Sequence, residues 1–168
     1  MSNTIVHYLV EGQNERKVVN TLKSELKLIM PGKVSVHNVV EQKIPDAFLL
    51  TIQQGTIIVL LFDTDTGQTS TLRSNLAKLE KCPRVKEVVT IPQAKNLEDE
   101  LKRSCSLRTI QDLLNSQSKT DFKRELIKVT NLGAKLLQHN FNIKLLWSSN
   151  PSSAYSFITN KSERIKLP

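Results

Sequence analysis

The stretch at residues 56–65 reads TIIVLLFDTD: seven uncharged, mainly apolar residues followed at once by Asp63 and Asp65. Gly55 precedes the run. A short apolar run with such flanks is typical of a strand that is covered on both faces, as in a parallel sheet. Functional groups in parallel α/β sheets collect at the carboxyl ends of the strands. The stretch therefore predicts a buried parallel strand that carries two carboxylates to one edge of a sheet.

The elements predicted around this strand alternate between strand and helix. Apolar and β-branched runs predict strands at 4–10 and 85–91, the last closed by Pro92, and an alternating pattern predicts a strand at 33–40. Helical spacing predicts helices at 14–29, 44–54 and 69–81. This alternation favours the α/β class, with a mostly parallel sheet flanked by helices. We expect a core at 1–100 and a basic, mainly helical extension at 101–168, packed on the same domain. After the fourth strand the pattern predicts helices at 97–105, 107–114 and 121–139, and a last strand at 143–147.

The composition excludes several classes of protein. The chain has 168 residues, about one domain, and its 39% apolar and 24% charged content is unlike collagen, coiled coils or globally disordered chains. No apolar run reaches the roughly 20 residues that span a bilayer, and residues 1–12 lack a leader pattern, so we expect no membrane partner. Cys82 and Cys105 lie in no CxxC or Cys/His cluster, which favours a reduced, cytoplasmic protein over a disulfide framework or a zinc site.

The charge is uneven along the chain. Residues 1–100 hold 12 basic and 12 acidic residues, whereas residues 101–168 hold 12 basic and 4 acidic, so the whole net charge of +8 lies in the second part. Such asymmetry indicates an anionic partner such as DNA or RNA, although an ordinary solvated basic surface gives the same count. The side chains that we expect to contact phosphates are Lys123, Arg124, Lys144, Lys161 and Lys166.

Carboxylates follow each of three predicted strands, where a parallel sheet would gather them on one edge. We refer to them as the acidic set: Glu11, Glu15, Asp63, Asp65 and Glu98. Clustered carboxylates repel one another unless a cation lies between them, and hard oxygen ligands suit Mg²⁺ or Mn²⁺. Such ions assist in-line displacement at phosphates. The alternative is that these residues cap helices, with Asp65 before one helix and Asn96 paired with Asp99 before another.

Two segments of the sequence carry a family resemblance. HYLVEGQNE at 7–15 is a strand that runs into Glu-Gly and a helix, and IIVLLFDTDT at 57–66 is a later strand that runs into Asp-x-Asp. Their order, spacing and strand context resemble the Toprim domain, over residues 4 to about 100. Toprim domains occur in topoisomerases, bacterial primases, recombination proteins, the ribonuclease that matures 5S rRNA, and the overcoming-lysogenization-defect (OLD) nucleases.

The resemblance implies a role for each matching residue. Glu11 would be a metal ligand or an acid/base group, and Asp63 and Asp65 would be the magnesium-binding pair. Glu15 matches an extra acidic position of the OLD-like nucleases, in which two metals bind, and Glu98 resembles a further acidic residue of some members. Gly12 would let the backbone turn tightly into the helix. The implied catalytic residues are thus Glu11, Asp63 and Asp65, with one or two Mg²⁺ or Mn²⁺ ions as cofactor.

Features that other Toprim proteins carry are missing from this sequence, and their absence argues against primase, ATPase and topoisomerase activities. The sequence has no zinc fingers and no GxxxxGK[ST] motif, and neither Tyr8 nor Tyr155 has the context of a strand-cleaving tyrosine. We therefore expect a small Mg²⁺- or Mn²⁺-dependent nuclease, or the nuclease subunit of a system whose partner supplies an ATPase or targeting function.

Two other functions stay open. One is a non-catalytic subunit that binds nucleic acid or regulates a larger, phage-defence-type system. The other is a haloacid-dehalogenase-like phosphatase with Asp63 as nucleophile and Asp65 as acid/base, although Thr66 and Gly67 stand in the reverse of that family's usual order.

Overall fold

A four-stranded, all-parallel sheet organises the chain. The computed structural model describes residues 3–168. Residues 1 and 2, which belong to the predicted core at 1–100, lie outside the described residues. The strands are β1 (Ile5–Val10), β2 (Lys33–Val36), β3 (Thr56–Asp63) and β4 (Val85–Gln93). Their order is β2-β1-β3-β4, and every neighbouring pair is parallel. The predicted α/β class with a parallel sheet is confirmed.

Helices cover both faces of this sheet. They are α1 (Gln13–Asn20), α2 (Asp46–Thr51), α3 (Ser70–Glu80), α4 (Leu97–Ser104), α5 (Lys119–Lys128) and α6 (Leu132–Gln138). Buried side chains of α1, α4, α5 and α6 form one hydrophobic cluster with the sheet, on what we call the α1 face. Those of α3 form a second cluster on the opposite α3 face, together with Ile52, which follows α2, and with partly buried residues of α2 itself. Residues of 101–168 thus share the core of the α1 face with the strands.

The strand β3 is buried on both faces, as its sequence predicts. It lies between β1 and β4, and its side chains alternate between the two clusters because successive residues of a strand point in opposite directions. Ile57, Val59 and Leu61 join the cluster of the α1 face, and Ile58, Leu60 and Phe62 join that of the α3 face.

The first helix is shorter than its periodicity predicts. The α-helix ends at Asn20 and continues as a π-helical segment, Thr21–Glu25. Lys27 then adopts a positive φ of 53°, and the buried Ile29 forms an antiparallel bridge with Lys166. Ile29 is buried, as the apolar spacing predicts, but it lies outside the helix and pairs with Lys166 near the end of the sequence.

The fourth strand is longer than predicted. Pro92 does not close it: the strand runs on to Gln93, with Pro92 opposite Phe62 and Gln93 opposite Asp63. β4 lies at the edge of the sheet, where a residue without a backbone N–H is tolerated. The two extra residues bring a glutamine beside the carboxylate that ends β3.

The extension at 101–168 departs most from expectation. Residues 107–114 form only a short 3₁₀ turn, Ile110–Leu113, and the helix predicted at 121–139 is two helices, α5 and α6. The strand predicted at 143–147 is wrong, because these residues form turns and Trp147 has a φ of 56°. No helix within residues 3–168 combines the length and apolarity needed to cross a membrane.

Candidate functional site

The sheet reverses its winding direction between β1 and β3. From β1 the chain passes through α1 to β2 on one side, and from β3 it passes through α3 to β4 on the other. Because α1 and α3 cover opposite faces, the loops after β1 and β3 diverge and leave a crevice at the carboxyl ends of these strands. Ligands of open α/β sheets bind at such a point. Glu11 follows β1 directly, and Asp63 ends β3.

A cavity of about 360 Å³ lies at this position and is lined by the entire acidic set. The structure thus brings together residues that three separate segments supply. Strand geometry does not persist beyond Asp63; Asp65 lies in an exposed bend, yet it lines the same cavity. The remaining lining residues are Gly12, Gln13, Asn14, Asn96, Lys123 and Ile127.

Glu11 is held by two donors. Its Oε2 accepts a hydrogen bond of 2.8 Å from the backbone N–H of Asp63, and its Oε1 accepts one of 3.3 Å from Nδ2 of Asn38. Burial raises the pKa of Glu11, and the negative charges of Asp65 and Glu41 add to the rise. The carboxylate is therefore fixed in place and is electrostatically suited to a cation.

Asp63 has the largest pKa shift among the carboxyl groups of the acidic set. Burial, reinforced by the charges of Glu11 and Glu15, raises its pKa from 3.8 to about 8. Gln93 opposes the rise by donating from Nε2 to Oδ1 of Asp63 over 2.6 Å. Without a cation the folded chain would hold a proton on Asp63 at neutral pH. Strongly perturbed carboxyl groups in a cleft are typical of functional sites.

Glu15 and Gly12 form the start of α1. Glu15 is buried, which raises its pKa, and the charges of Glu11 and Glu98 raise it further. The expected role of Gly12 in a tight turn is wrong: its φ of −155° is extended backbone that any residue adopts. A Cβ at position 12 would instead lie 3.2 Å from Oε2 of Glu15. The missing side chain leaves room for this carboxylate.

Lys123 is the only cationic side chain among the described residues that line the cavity. Its Nζ lies 3.1 Å from Oε1 of Glu98. Glu98 raises the pKa of Lys123 through this hydrogen bond and through its charge, and Asp63 and Glu15 contribute. One cation of α5 thus faces several carboxylates, and the net charge of the cavity is negative.

The other four predicted phosphate contacts do not line this cavity. Arg124 pairs with Asp121 at 2.5 Å, and the exposed Lys161 donates from Nζ to the carbonyl of Val88 over 3.3 Å. Lys144 is exposed. The side chain of Lys166 is only 5% exposed and pairs with Glu163 at 2.7 Å, so this lysine is unsuited to meet a ligand.

The donor set fits a hard divalent cation by its chemistry. All five residues offer carboxylate oxygens, the ligands that Mg²⁺ and Mn²⁺ prefer, with no thiolate or imidazole among them. Within residues 3–168, however, no group of three or more acidic, histidine or cysteine side chains converges closely enough to hold an ion. The carboxylates stand around the cavity, and they would have to turn inward to share one cation.

The alternative prediction, that these residues cap helices, is confirmed for Asn96 with Asp99 and is wrong for Asp65. Asn96 accepts a hydrogen bond of 3.0 Å from the backbone N–H of Asp99 at the start of α4. Asp65 caps no helix, since α3 begins after Thr69. Helix capping therefore does not account for an aspartate at position 65.

Sequence reasoning missed the polar residues behind the carboxylates. Gln93, fully buried, contacts Asp63 on one side and Nε1 of Trp147 on the other. Asn38 supports Glu11. Gln93 ends β4 as Asp63 ends β3, so its place at the carboxyl end of a strand is a signal that the sequence contains. A predicted strand that stops at Pro92 leaves Gln93 out.

A larger cavity, about 750 Å³, lies at the opposite end of the sheet. It is lined by the start of β1, by Pro31 and Gly32 before β2, and by the end of α2. Its described lining contains His7 and Lys33 but no carboxylate. The carboxylates of the acidic set therefore lie at the smaller cavity and not at this larger one.

Comparisons of the chain with protein-family models, with curated proteins and with solved structures found no match. Any assignment of function therefore depends on the residues of the site.

Proposed function

We propose that this chain is a divalent-metal-dependent nuclease, similar to the small hydrolytic members of the Toprim superfamily. One observation carries the proposal: carboxylates from three distant segments line one cavity at the point where the sheet reverses direction. The strand–Glu-Gly–helix and strand–Asp-x-Asp order on which the resemblance depends coincides with β1, α1 and β3. A single acidic residue at a strand end is common and supports no function. The proposal depends on the set of carboxylates together with the order of the elements that carry them.

The acidic set would hold one or two Mg²⁺ or Mn²⁺ ions. Such an ion supplies Lewis-acid stabilisation to the oxygens of a phosphodiester. Glu11, anchored by the Asp63 N–H, would keep its position as ligands exchange, whereas the exposed Asp65 is free to move toward a substrate. Lys123 would exchange its contact with Glu98 for a phosphate oxygen, and so bind and orient the nucleic acid.

A non-catalytic role is the second candidate, and a specific observation favours it. The carboxylates are not gathered around a common point, and Lys123 already neutralises one of them. A chain that only binds nucleic acid, or that requires a partner to complete its site, would have such an arrangement. The net charge of +8 suits nucleic-acid binding in either case.

A cleavage assay tests the proposal. Wild type and Asp63→Asn are incubated with labelled single- and double-stranded DNA and RNA and with a generic phosphomonoester, in Mg²⁺, in Mn²⁺ and in EDTA. We expect metal-dependent cleavage of nucleic acid that Asp63→Asn abolishes, with binding retained or strengthened because repulsion of the phosphates falls. Asp121→Asn, an acidic residue of α5 outside the cavity lining, is the matched control and should cleave normally.

Each of the other results selects a different function. Hydrolysis of the phosphomonoester only would favour the phosphatase alternative, with Asp63 as nucleophile. Nucleic-acid binding without cleavage by the wild type in any metal would favour the non-catalytic subunit. Cleavage by Asp63→Asn at the wild-type rate would overturn the assignment of the site.

A further inference from the structure

A chain of side-chain hydrogen bonds runs from the acidic cavity into the core. Nε2 of Gln93 donates to Oδ1 of Asp63 over 2.6 Å, and Nε1 of Trp147 donates to Oε1 of Gln93 over 3.3 Å. Gln93 and Trp147 are both completely buried. A buried amide in contact with a carboxylate at a cavity is therefore connected to an indole that has no contact with solvent.

The direction of these bonds is fixed by chemistry. The indole Nε1–H is only a donor, so the amide of Gln93 must present its oxygen to Trp147 and its NH₂ to Asp63. In the opposite orientation two donors would face each other at Trp147, and the amide oxygen would face a carboxylate. Trp147 thereby sets which end of the Gln93 amide reaches the cavity.

Trp147 is itself held firmly. Its backbone N–H donates to Oε2 of the buried Glu100 over 2.8 Å, and its carbonyl accepts from Nδ2 of Asn160 and Oγ of Ser162. These contacts keep its φ at 56°, in the left-handed region that non-glycine residues adopt only at a cost. A strained residue with every backbone group engaged is suited to orient another side chain.

The two loops of the site are also joined at this point. Oγ1 of Thr64 donates to the carbonyl of Gln93 over 2.6 Å, and the backbone N–H of Thr64 donates to the carbonyl of Lys95. The segment after β3, which carries Asp65, is therefore fixed to the segment after β4. Gln93 contributes to the site through its side chain and through its backbone.

We propose that Gln93 is a positioning residue of the acidic site: oriented by the Trp147 indole, it occupies Oδ1 of Asp63 and leaves Oδ2 for the ligand in the cavity. The inference rests on the proposed function in that this ligand is a divalent cation. Outer partners of this kind orient the groups that bind a metal, and their removal weakens metal affinity by roughly 10- to 100-fold.

The single tryptophan of the chain makes the proposal directly measurable. A ¹⁵N-labelled sample has one indole N–H resonance, and Mg²⁺, being diamagnetic, can be titrated while this resonance is followed. We expect Mg²⁺ to shift it in the wild type. In Gln93→Leu, Mg²⁺ should bind roughly 10- to 100-fold more weakly by calorimetry, and the indole resonance should no longer respond. Gln53→Leu, the same substitution at an exposed residue that lines the larger cavity at the opposite end of the sheet, should retain the wild-type affinity and response.

Wild-type Mg²⁺ affinity in a folded Gln93→Leu protein would overturn the proposal. If that variant does not fold, Trp147→Phe removes the donor that orients the amide, and unchanged affinity in this variant has the same meaning. If the wild type binds no Mg²⁺, the proposed metal site fails, and the positioning role is judged without metal. In that case Asp63→Asn should shift the indole resonance in the wild-type background and not in Gln93→Leu, and the absence of a shift in both would overturn it.

Discussion

The backbone N–H of Asp63 donates a hydrogen bond of 2.8 Å to Oε2 of Glu11 and so joins the ends of two neighbouring strands. The donor belongs to the backbone, so it persists whatever side chain stands at position 63. Glu11 also keeps its contact with Asn38 when residue 63 changes. Replacement of Asp63 by asparagine therefore removes the ionisable carboxyl group of this residue while the anchor of Glu11 remains.

The first prediction concerns stability at neutral and alkaline pH. The pKa of Asp63 rises from 3.8 to about 8 on folding, so the folded chain binds more protons than the unfolded chain between these values, and stability falls as pH rises through that range. We expect Asp63→Asn to be more stable than the metal-free wild type at pH 8, by about 2 kcal/mol. This is below the full value of roughly 1.4 kcal/mol per pKa unit, because the side chain is partly solvated.

Urea unfolding of both proteins in EDTA, at intervals from pH 6.5 to 8, measures this difference. The wild type should lose stability across the interval, and Asp63→Asn should lose less. Mg²⁺ should stabilise the wild type more than the variant at pH 8, since a bound cation offsets the repulsion that ionised Asp63 creates. Parallel pH profiles of the two proteins would contradict the raised pKa of Asp63.

The second prediction concerns the acid side of the profile. Burial, with a contribution from the charge of Lys33, lowers the pKa of His7 from 6.5 to about 4. Between these values the unfolded chain binds the extra proton and the folded chain does not, so stability falls as pH drops from 6.5 toward 4. This trend is opposite in sign to that of Asp63, which is why the first prediction is tested above pH 6.5.

A glutamine at position 7 keeps a polar group within reach of Ser35, whose Oγ lies 2.8 Å from Nε2 of His7, and removes the titration. We expect His7→Gln to lose about 2 kcal/mol less stability than the wild type on acidification from pH 6.5 to about 4. The measurement is urea unfolding at several pH values in that interval. Equal losses in the two proteins would show that His7 is not held neutral by its surroundings.

Most of the sheet is predictable from the sequence, and most of the extension is not, for one physical reason. The strands β1, β3 and β4 are rich in apolar and β-branched residues, and β2 alternates between polar and apolar residues. Both signals are contained in the segment itself. Residues 143–147 are also rich in apolar residues, but Glu100, in another element, captures the backbone N–H of Trp147 and holds it in a turn. A polar contact between residues so distant in the chain leaves no local pattern.

The site divides in the same way. The acidic set is predictable because its members follow strands, and parallel strands end at one edge of the sheet. Gln93 was missed because Pro92 reads as a strand terminator, and only the position of β4 at the sheet edge makes that proline acceptable. Which cation reaches the cavity depends on how α5 packs, which separates Lys123 from the four other candidates.

The third prediction compares two adjacent cations of α5. Lys123 lines the cavity and contacts Glu98, whereas Arg124 pairs with Asp121 outside it. We expect Lys123→Met to weaken nucleic-acid binding and to slow metal-dependent cleavage by roughly tenfold or more, because a positive charge near the scissile phosphate is lost. Arg124→Met should change both by less than about threefold, because Arg124 pairs with Asp121 outside the cavity lining and exposed charges away from the ligand are screened by salt.

Fluorescence anisotropy with labelled nucleic acid, and cleavage rates at saturating Mg²⁺, provide the two measurements. Lys123→Arg retains the charge and should recover part of the binding. Lys123→Met and Arg124→Met should unfold at similar urea concentrations, because the side chains of Lys123 and Arg124 are 59% and 62% exposed. Equal effects of Lys123→Met and Arg124→Met would indicate a general loss of positive charge rather than a contact at the cavity.

The fourth prediction separates two glycines by what a Cβ would contact. At Gly32, directly before β2, a Cβ would overlap the backbone carbonyl oxygen of Val6 in β1. The paired backbones of β1 and β2 cannot yield, so Gly32→Ala should be destabilised by about 2–3 kcal/mol. At Gly12 a Cβ would lie 3.2 Å from Oε2 of Glu15, the end of a side chain that can rotate. We expect Gly12→Ala to lose less than about 1 kcal/mol and to bind Mg²⁺ several-fold more weakly, because the alanine displaces the Glu15 carboxylate.

Urea unfolding and calorimetric titration with Mg²⁺ test the two glycines together. Gly12→Ala should separate folding from ligand binding, since only the position of Glu15 changes, and Glu15→Gln in the same background should add little further loss of affinity. If Gly12→Ala were instead as unstable as Gly32→Ala, the backbone at position 12 would need glycine, as the Toprim resemblance implies for a tight turn. A stable Gly12→Ala protein with wild-type Mg²⁺ affinity would contradict the prediction that an alanine at position 12 displaces the Glu15 carboxylate from the ligand.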